Sequence, residues 1–411
     1  MPDAGPTPSA RRRWLTLGLL AVAVLAAMSP WFTASAAGDF LREQHGLSSG
    51  EVAWLTGSVQ LGFVVGTLLA ALLNVADLVP SRRLFTVCAL LSAGANAVLV
   101  LAPSYPSLLV FRFLTGFFLA GVYPPSMKMA ATWFLTGRGV AIGTIVGALT
   151  VGKAAPFLLR GGGGGGAAGI ILGASALALA GGALVFLLYR DGPHAFPRRP
   201  FKWSLVGDVL RDRPTRLATW GYLGHMWELY AMWSAIGLFF TAHFVVRGVA
   251  DPGGAAAIVA FWVISAGGVG SIAAGVLADR FGRERIASGA LALSGLVALV
   301  IGWGLGGPTW LLVAVALVWG TAVVADSAQF SALVTEVAPP HAAGTALTLQ
   351  TSLGFLLTIV TIQGVPWVAE HWGWGPAFAL LVPGPVVGMI AMARLRRLRE
   401  EGARARAGRV G

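Results

Sequence analysis

The 411 residues are 56% hydrophobic and only 11% charged, with a mean hydropathy of +0.76 and a formal charge of +12. Ordinary soluble domains carry about 25% charged residues. No water-soluble fold of this size hides so much apolar surface, so a soluble enzyme or binding domain is excluded and lipid is the implied solvent.

A helix crosses the hydrocarbon with about 20 apolar residues. In chain order, the apolar runs place spans at 14–36, 53–73, 84–102, 107–127, 139–159 and 168–188, then at 217–243, 255–277, 286–306, 309–331, 344–368 and 374–393. The first run follows Arg11–Arg13 and ends near Thr33-Ala34-Ser35-Ala36-Ala37, a pattern shared with cleavable signal peptides. Cleavage would leave eleven spans and strand the tail against the charge bias, so the segment reads as the first helix. Cys88, the only cysteine, lacks a disulfide partner and reads as a small core residue. Gly143-x3-Gly147 reads as close helix packing. The Gly161–Gly166 run lacks the strand, helix and Lys of a phosphate loop and reads as a connector. The prolines at 193, 197, 200 and 214, set among basic residues, mark a linker. The expected organisation is therefore a first six-helix bundle (1–190), a linker (191–216), a second bundle (217–395) and a basic tail (396–411): an all-α membrane protein of twelve spans in two pseudo-symmetric halves.

Lys and Arg placement sets the orientation. With the N-terminus inside, the inner segments hold 24 of the 29 basic residues; Arg42, Arg160 and Arg247 lie outside, and Arg112 and Lys153 lie within spans. Both termini are thus expected in the cytoplasm of a cell membrane, plasma or inner. Basic loops facing anionic lipid account for the charge without any nucleic acid.

The loop Gly275-Val-Leu-Ala-Asp279-Arg280-Phe-Gly282-Arg283-Glu284-Arg285 follows the eighth span, and Asp77-Leu-Val-Pro80-Ser-Arg82-Arg83 follows the second. Asp77 falls on Asp279 and Arg83 on Arg285, close to half the chain apart, as in internally repeated transporters. Gly282 suits a tight turn with positive φ. The second-half loop resembles the hallmark loop of the major facilitator superfamily. Arg112-x3-Gly116-x4-Gly121-x2-Pro124 is similar to that family's fourth-helix pattern. The resemblance implies two bundles rocking about a midplane site lined by spans one, four, seven and ten, with Asp279, Arg280, Gly282, Arg283 and Arg285 gating the inner mouth. The first-half copy lacks the glycines, so Asp77 is not expected to gate in the same way.

A charge within the hydrocarbon costs at least about 2.5–3.5 kcal/mol and needs a reason. Helical rise puts Glu228 roughly 16 Å from the inner edge, near the midplane, and Asp326 about 8 Å from that edge. Tyr222, His225 and Glu228 share one helix face. Arg112, Lys153, Tyr222, His225 and Trp227 are candidate substrate contacts, with Arg112 expected to face the central cavity. Glu228, then Asp326 and His225, are candidates for a coupling proton; packing between helices is the competing reading for each.

No Walker sequence occurs, so the energy source is an ion or solute gradient. The best reading is a monomeric secondary transporter of a small solute, proton-coupled, with an organic anion favoured and no cofactor or metal. A drug or metabolite efflux antiporter, a membrane enzyme and a non-transporting sensor remain open. The resemblance implies that a nitrate or nitrite porter would carry arginines in spans two and eight, and this chain has no charge in either, which argues against that substrate.

Overall fold

In the computed structural model, residues 10–134, 137–163, 165–194 and 201–407 are described, and among them every regular element is helical. α1 (Ala10–Ala27) leads through a turn to the short α2 (Thr33–Ala36) and α3 (Gly38–His45). Next come α4 (Ser49–Leu72), the short α5 (Val75–Leu78), α6 (Ser81–Ala97), and α7 (Tyr105–Leu119) continued by α8 (Tyr123–Ala131). α9 (Arg138–Gly161) and α10 (Gly166–Leu188) close the first half of the chain, and α11 (Val206–Arg211) precedes α12 (Arg213–Val246). α13 (Pro252–Phe281), α14 (Arg283–Ile301), α15 (Thr309–Ala325) with α16 (Ser327–Val337), α17 (Ala343–Trp372), and α18 (Trp374–Ala379) with α19 (Pro383–Ala407) complete the order.

Eleven of the described helical segments are long and apolar enough to cross a membrane. They correspond to the expected spans from 53–73 onward. The first expected span differs: α1 stops at Ala27, nine residues short of the expected end at 36. Ser29 and Pro30 explain the stop. Proline supplies no amide hydrogen and its ring opposes the preceding turn, while the Ser29 hydroxyl binds the Ala26 and Ala174 carbonyls at 2.8 and 2.7 Å.

Glycine lets the helix backbones touch. A Cβ on Gly116 of α7 would collide with the Val59 carbonyl of α4, and one on Gly66 with the Phe117 carbonyl. In the second half, Gly320 of α15 meets the Val263 carbonyl of α13, and Gly270 meets the Thr321 carbonyl. All four residues of the first set recur 204 positions later (59 to 263, 66 to 270, 116 to 320, 117 to 321). Between the halves, α9 packs along α13 and α4 along α17. Gly147 and Gly268 face each other there, each Cβ position 3.1–3.2 Å from the other's carbonyl oxygen. α9 and α10 are joined through Gly163 and Gly165, both at positive φ, as a connector requires.

Arg12 of α1 lies over the Trp133 ring just before α9, Gly139 of α9 faces Asp279 of α13, and Arg399 of α19 binds Glu284 of α14, so these helix ends share one face, here the terminal face. The turn after α1, the start of α4 and the ends of α12 and α17 lie on the opposite, far face.

Candidate functional site

Lys153 is the one lysine buried at the interface of the two halves among the described residues. α9 carries it there because Gly152 lets the helix press on the Leu25 backbone of α1. Its Nζ stands 3.8 Å from the Trp31 ring centre, 4.6 Å from Tyr230 and 5.5 Å from Trp233, and it donates to the Tyr230 hydroxyl. Phe63 and Phe355 back Trp31 at 5.1 and 5.8 Å, and Phe32 stacks edge-on to Trp233 at 6.0 Å. Cation–π attraction in so dry a setting is worth about 2 kcal/mol or more. No carboxylate pairs with Lys153 among the described residues. The indole N–H groups of Trp31 and Trp233 are buried without acceptors. Buried donors normally have partners, and these two indole N–H groups have none among the described residues.

Arg112 does not join it. Its guanidinium is fully buried and donates to the carbonyls of Pro30 (2.8 Å), Trp31 and Leu55 (3.4 Å) and to the Asn96 side-chain oxygen (3.0 Å). Pro30 and Trp31 lie in the break after α1, where carbonyls lack regular helical partners, and Leu55 lies on α4. Arg112 therefore clamps the turn that presents Trp31 over Lys153 and has no donor directed to a cavity.

The polar stripe of α12 faces α15 and α16. Glu228 accepts from Trp319 Nε1 at 2.6 Å and from Ser294 Oγ at 2.9 Å, so each carboxylate oxygen has a donor. His225 lies between Asp326 (Nδ1 to Oδ1, 2.8 Å) and Ser327 (Nε2 to Oγ, 2.9 Å). Tyr222 packs between the Phe330 ring and Gly354. Trp227 points elsewhere, donating to the Leu380 carbonyl at 3.0 Å.

On the terminal face, Gly282 has φ 91° and joins α13 to α14. Arg283 binds Glu336 (2.7 Å) and Gln329 (2.9 Å) of α16 and stands 3.8 Å from Asp279. Asp279 lies over the first turn of α9 at Gly139, where the helix dipole favours a carboxylate. Arg399 of α19 bridges Glu284 (2.7 Å) and Glu336 (3.3 Å). Arg280 lies over the Phe281 ring, and Arg285 is exposed, so neither enters this network. The Asp77 side chain lies outside the described residues. Glu284, Glu336, Gln329 and Arg399 were not anticipated; their helical-end positions beside a basic loop were the available signal.

A cavity of about 330 Å³ opens at the far face, lined by Ser35, Asp39, Arg42, Thr56, Ser234 and Glu370 among others. Ser234 adjoins Trp233 in the chain, but neither Lys153 nor the rings around it line this cavity.

The profile of the Major Facilitator Superfamily matches residues 19–362 and 250–411. The chain is 28% identical over 294 residues to the MFS-type transporter pytF of Aspergillus terreus, covering 68% of this chain and 94% of that protein. Its fold is similar to a crystal structure of a mutant of the nucleoside transporter NupG (TM-score 0.71, 14% identity, 93% of this chain and 99% of that one). It is also similar to an inward-facing, unoccupied bacterial homologue of the human lysosomal transporter Spinster (TM-score 0.68, 15% identity, 94% and 97%).

Proposed function

Because the chain belongs to the Major Facilitator Superfamily and is a multi-pass membrane transporter rather than an enzyme, we propose that it carries a small organic monoanion by alternating access, with Lys153 as the group that holds the negative charge. Lys153, enclosed by rings and flanked by two unpaired indole donors, is the observation that carries this reading. One cation with no carboxylate partner is balanced by one negative charge. A second would enter a low-dielectric site uncompensated, at a cost of several kcal/mol. Arg112 cannot supply the balance, since its donors already hold carbonyls. The rings offer flat apolar faces to the body of the solute, which favours a planar or apolar acid over a polyol.

The same reading takes the chain as twelve spans, α1 with the turn after it being the first, in two six-helix bundles. The contacts that recur after 204 residues support that division. It places both termini in the cytoplasm of the cell membrane and treats the monomer as the working unit. The far-face vestibule is then the outer approach, and the Asp279–Arg283–Glu336–Arg399 network closes the inner mouth. Coupling to a proton is part of the proposal.

Thermal unfolding of the purified protein with benzoate, phthalate, benzylammonium and uridine tests the site. A ligand at a hundred times its Kd adds about 2.7 kcal/mol. Benzoate should stabilise the wild type and leave Lys153→Met unchanged. Equal stabilisation by benzylammonium or uridine would remove the anion assignment.

A further inference from the structure

The His225–Asp326–Ser327 cluster has no part in holding the anion, yet it sits at a helix break in the second half. α15 ends at Ala325 and α16 begins at Ser327, so both partners of His225 belong to a helix break. His225 and Asp326 are about 98% buried, while Ser327 is half-buried. Nε2 is hydrogen-bonded to the Ser327 hydroxyl, and Nδ1 stands 2.8 Å from a carboxylate oxygen that has no aligned hydrogen-bond donor.

Charge counting gives this cluster two states. With a neutral imidazole beside the ionised carboxylate, the pair carries one negative charge. With one more proton it becomes an imidazolium–carboxylate pair of zero net charge, the form suited to a dry interior. Water delivers that proton to Nε2, and the Ser327 hydroxyl turns from donor to acceptor to meet it. A hydroxyl fits both states because it can donate and accept.

The surroundings contain no cation to substitute for the proton. On α12, Tyr222 lies one turn before His225, with ring centres 6.1 Å apart, and Glu228 lies one turn after. Tyr123 of α8 stands beyond Tyr222. α17 contributes the uncharged Gln350, bound to the Phe330 carbonyl, and α14 contributes Ser294, bound to Glu228. Asp279, Arg283, Glu284, Glu336 and Arg399 stand in the terminal-face network, Arg280 and Arg285 beside it, and on α9 Lys153 is held on Tyr230. Among the described residues no Lys or Arg pairs with Asp326.

We infer that His225 and Asp326 form the proton-binding site of this transporter and that α16 transmits its occupancy to the terminal face. The inference rests on the transporter reading above. α16 is eleven residues long. It begins at the proton site with Ser327, and in its last turn Glu336 receives both Arg283 and Arg399. Loss of the proton leaves a buried anion, which is relieved by parting α12 from the break and admitting water. A rigid α16 then moves as a lever and disturbs the network at its other end. Glu228 differs in this respect: both its oxygens already have neutral donors, and it touches no break.

The test uses the full chain in nanodiscs with Cys88→Ser and Thr335→Cys, Thr335 being half-buried near the end of α16. Maleimide labelling is followed from pH 5 to 8 and normalised to exposed Ser204→Cys. One coupled proton changes the normalised rate by up to about tenfold per pH unit within the titrating range. That dependence should vanish in Asp326→Asn and His225→Gln and persist in Glu228→Gln. Should the first two variants fail to fold, 15N-histidine NMR of the wild type gives the same decision, because His225 must gain one proton in this range. A pH profile that survives Asp326→Asn, a profile flattened by Glu228→Gln alone, or a His225 that never titrates overturns the inference. Benzoate stabilisation at fixed pH judges the transporter reading separately. A flat profile with intact benzoate binding defeats only the proton site, and a steep profile without anion binding defeats only the substrate assignment.

Discussion

Replacing Arg112 by methionine keeps most of the side-chain volume and removes every donor. The Trp31 and Leu55 carbonyls and the Asn96 oxygen then lose the guanidinium, and the Pro30 carbonyl keeps only its bonds from Thr33. Hydrogen bonds inside membrane proteins average about 0.6 kcal/mol and reach about 1.7, so four sum to roughly 2.5–7. A neutral buried acceptor left unsatisfied costs about 1–3 kcal/mol, which puts the loss near the middle of that range, about 3–5 kcal/mol. For a cooperative unit of about 200 residues, 1 kcal/mol lowers Tm by about 2–4 °C, so Arg112→Met should melt about 10 °C below wild type. Arg112→Lys retains the charge, but its single nitrogen cannot span carbonyls on two helices, and about half the loss should remain. The assay is tryptophan fluorescence or gel-filtration melting of detergent-purified protein. Trp31 loses its anchor in the same variant, so benzoate binding should weaken together with Tm. If Arg112→Met melted within about 2 °C of wild type and bound benzoate normally, the clamp reasoning would be refuted.

Glu228→Gln retains an acceptor for Trp319 and a donor or acceptor for Ser294, so stability should change by under about 1 kcal/mol, whereas Glu228→Ala leaves two buried donors and should cost about 2–6 kcal/mol on melting; equal effects would show that the carboxylate is not bonded as described. Gly116→Ala and Gly320→Ala drive a methyl into the Val59 and Val263 carbonyls, and both should abolish the monodisperse gel-filtration peak, while Gly289→Ala, with open space at its Cβ, should match or exceed wild type; tolerance of either collision would contradict the helix contacts. Cysteines at Gly163 and Ser204 should label from opposite sides of sealed cells, and labelling of both from one side would contradict the topology. Asp279→Asn should slow turnover more than it weakens anion affinity, and the reverse pattern would assign that loop to the site.

Spans were legible because apolar runs of 18 residues or more leave the chain no other solvent. The buried charges were legible one by one, as Arg112, Lys153, His225, Glu228 and Asp326 interrupt those runs. Their partners were less so. Trp319 and Ser294, which hold Glu228, are uncharged and sit on two other spans. Arg112 was expected in the cavity because its position on the fourth span suggested exposure there. Ser29-Pro30 carried the contrary signal: a proline that breaks a membrane helix strands carbonyls, and a nearby arginine is the donor able to satisfy several together. Trp31 was not singled out, since one tryptophan in an apolar run reads as packing. Its place over Lys153 arises only when α1 breaks and α9 crosses it. Trp227 shared a sequence neighbourhood with the site and turned to Leu380, between α18 and α19, because it is two positions from His225, off the face that meets α15 and α16.

The central claim is that Lys153 binds and moves a single negative charge. Counterflow of radiolabelled benzoate in proteoliposomes, wild type against Lys153→Met, tests it most directly. The account predicts benzoate exchange by the wild type, no competition from phthalate or benzylammonium, and loss of exchange in Lys153→Met while the variant still migrates as a folded monodisperse protein. Benzoate exchange that persists in Lys153→Met, or competition by benzylammonium equal to that of unlabelled benzoate, would contradict it.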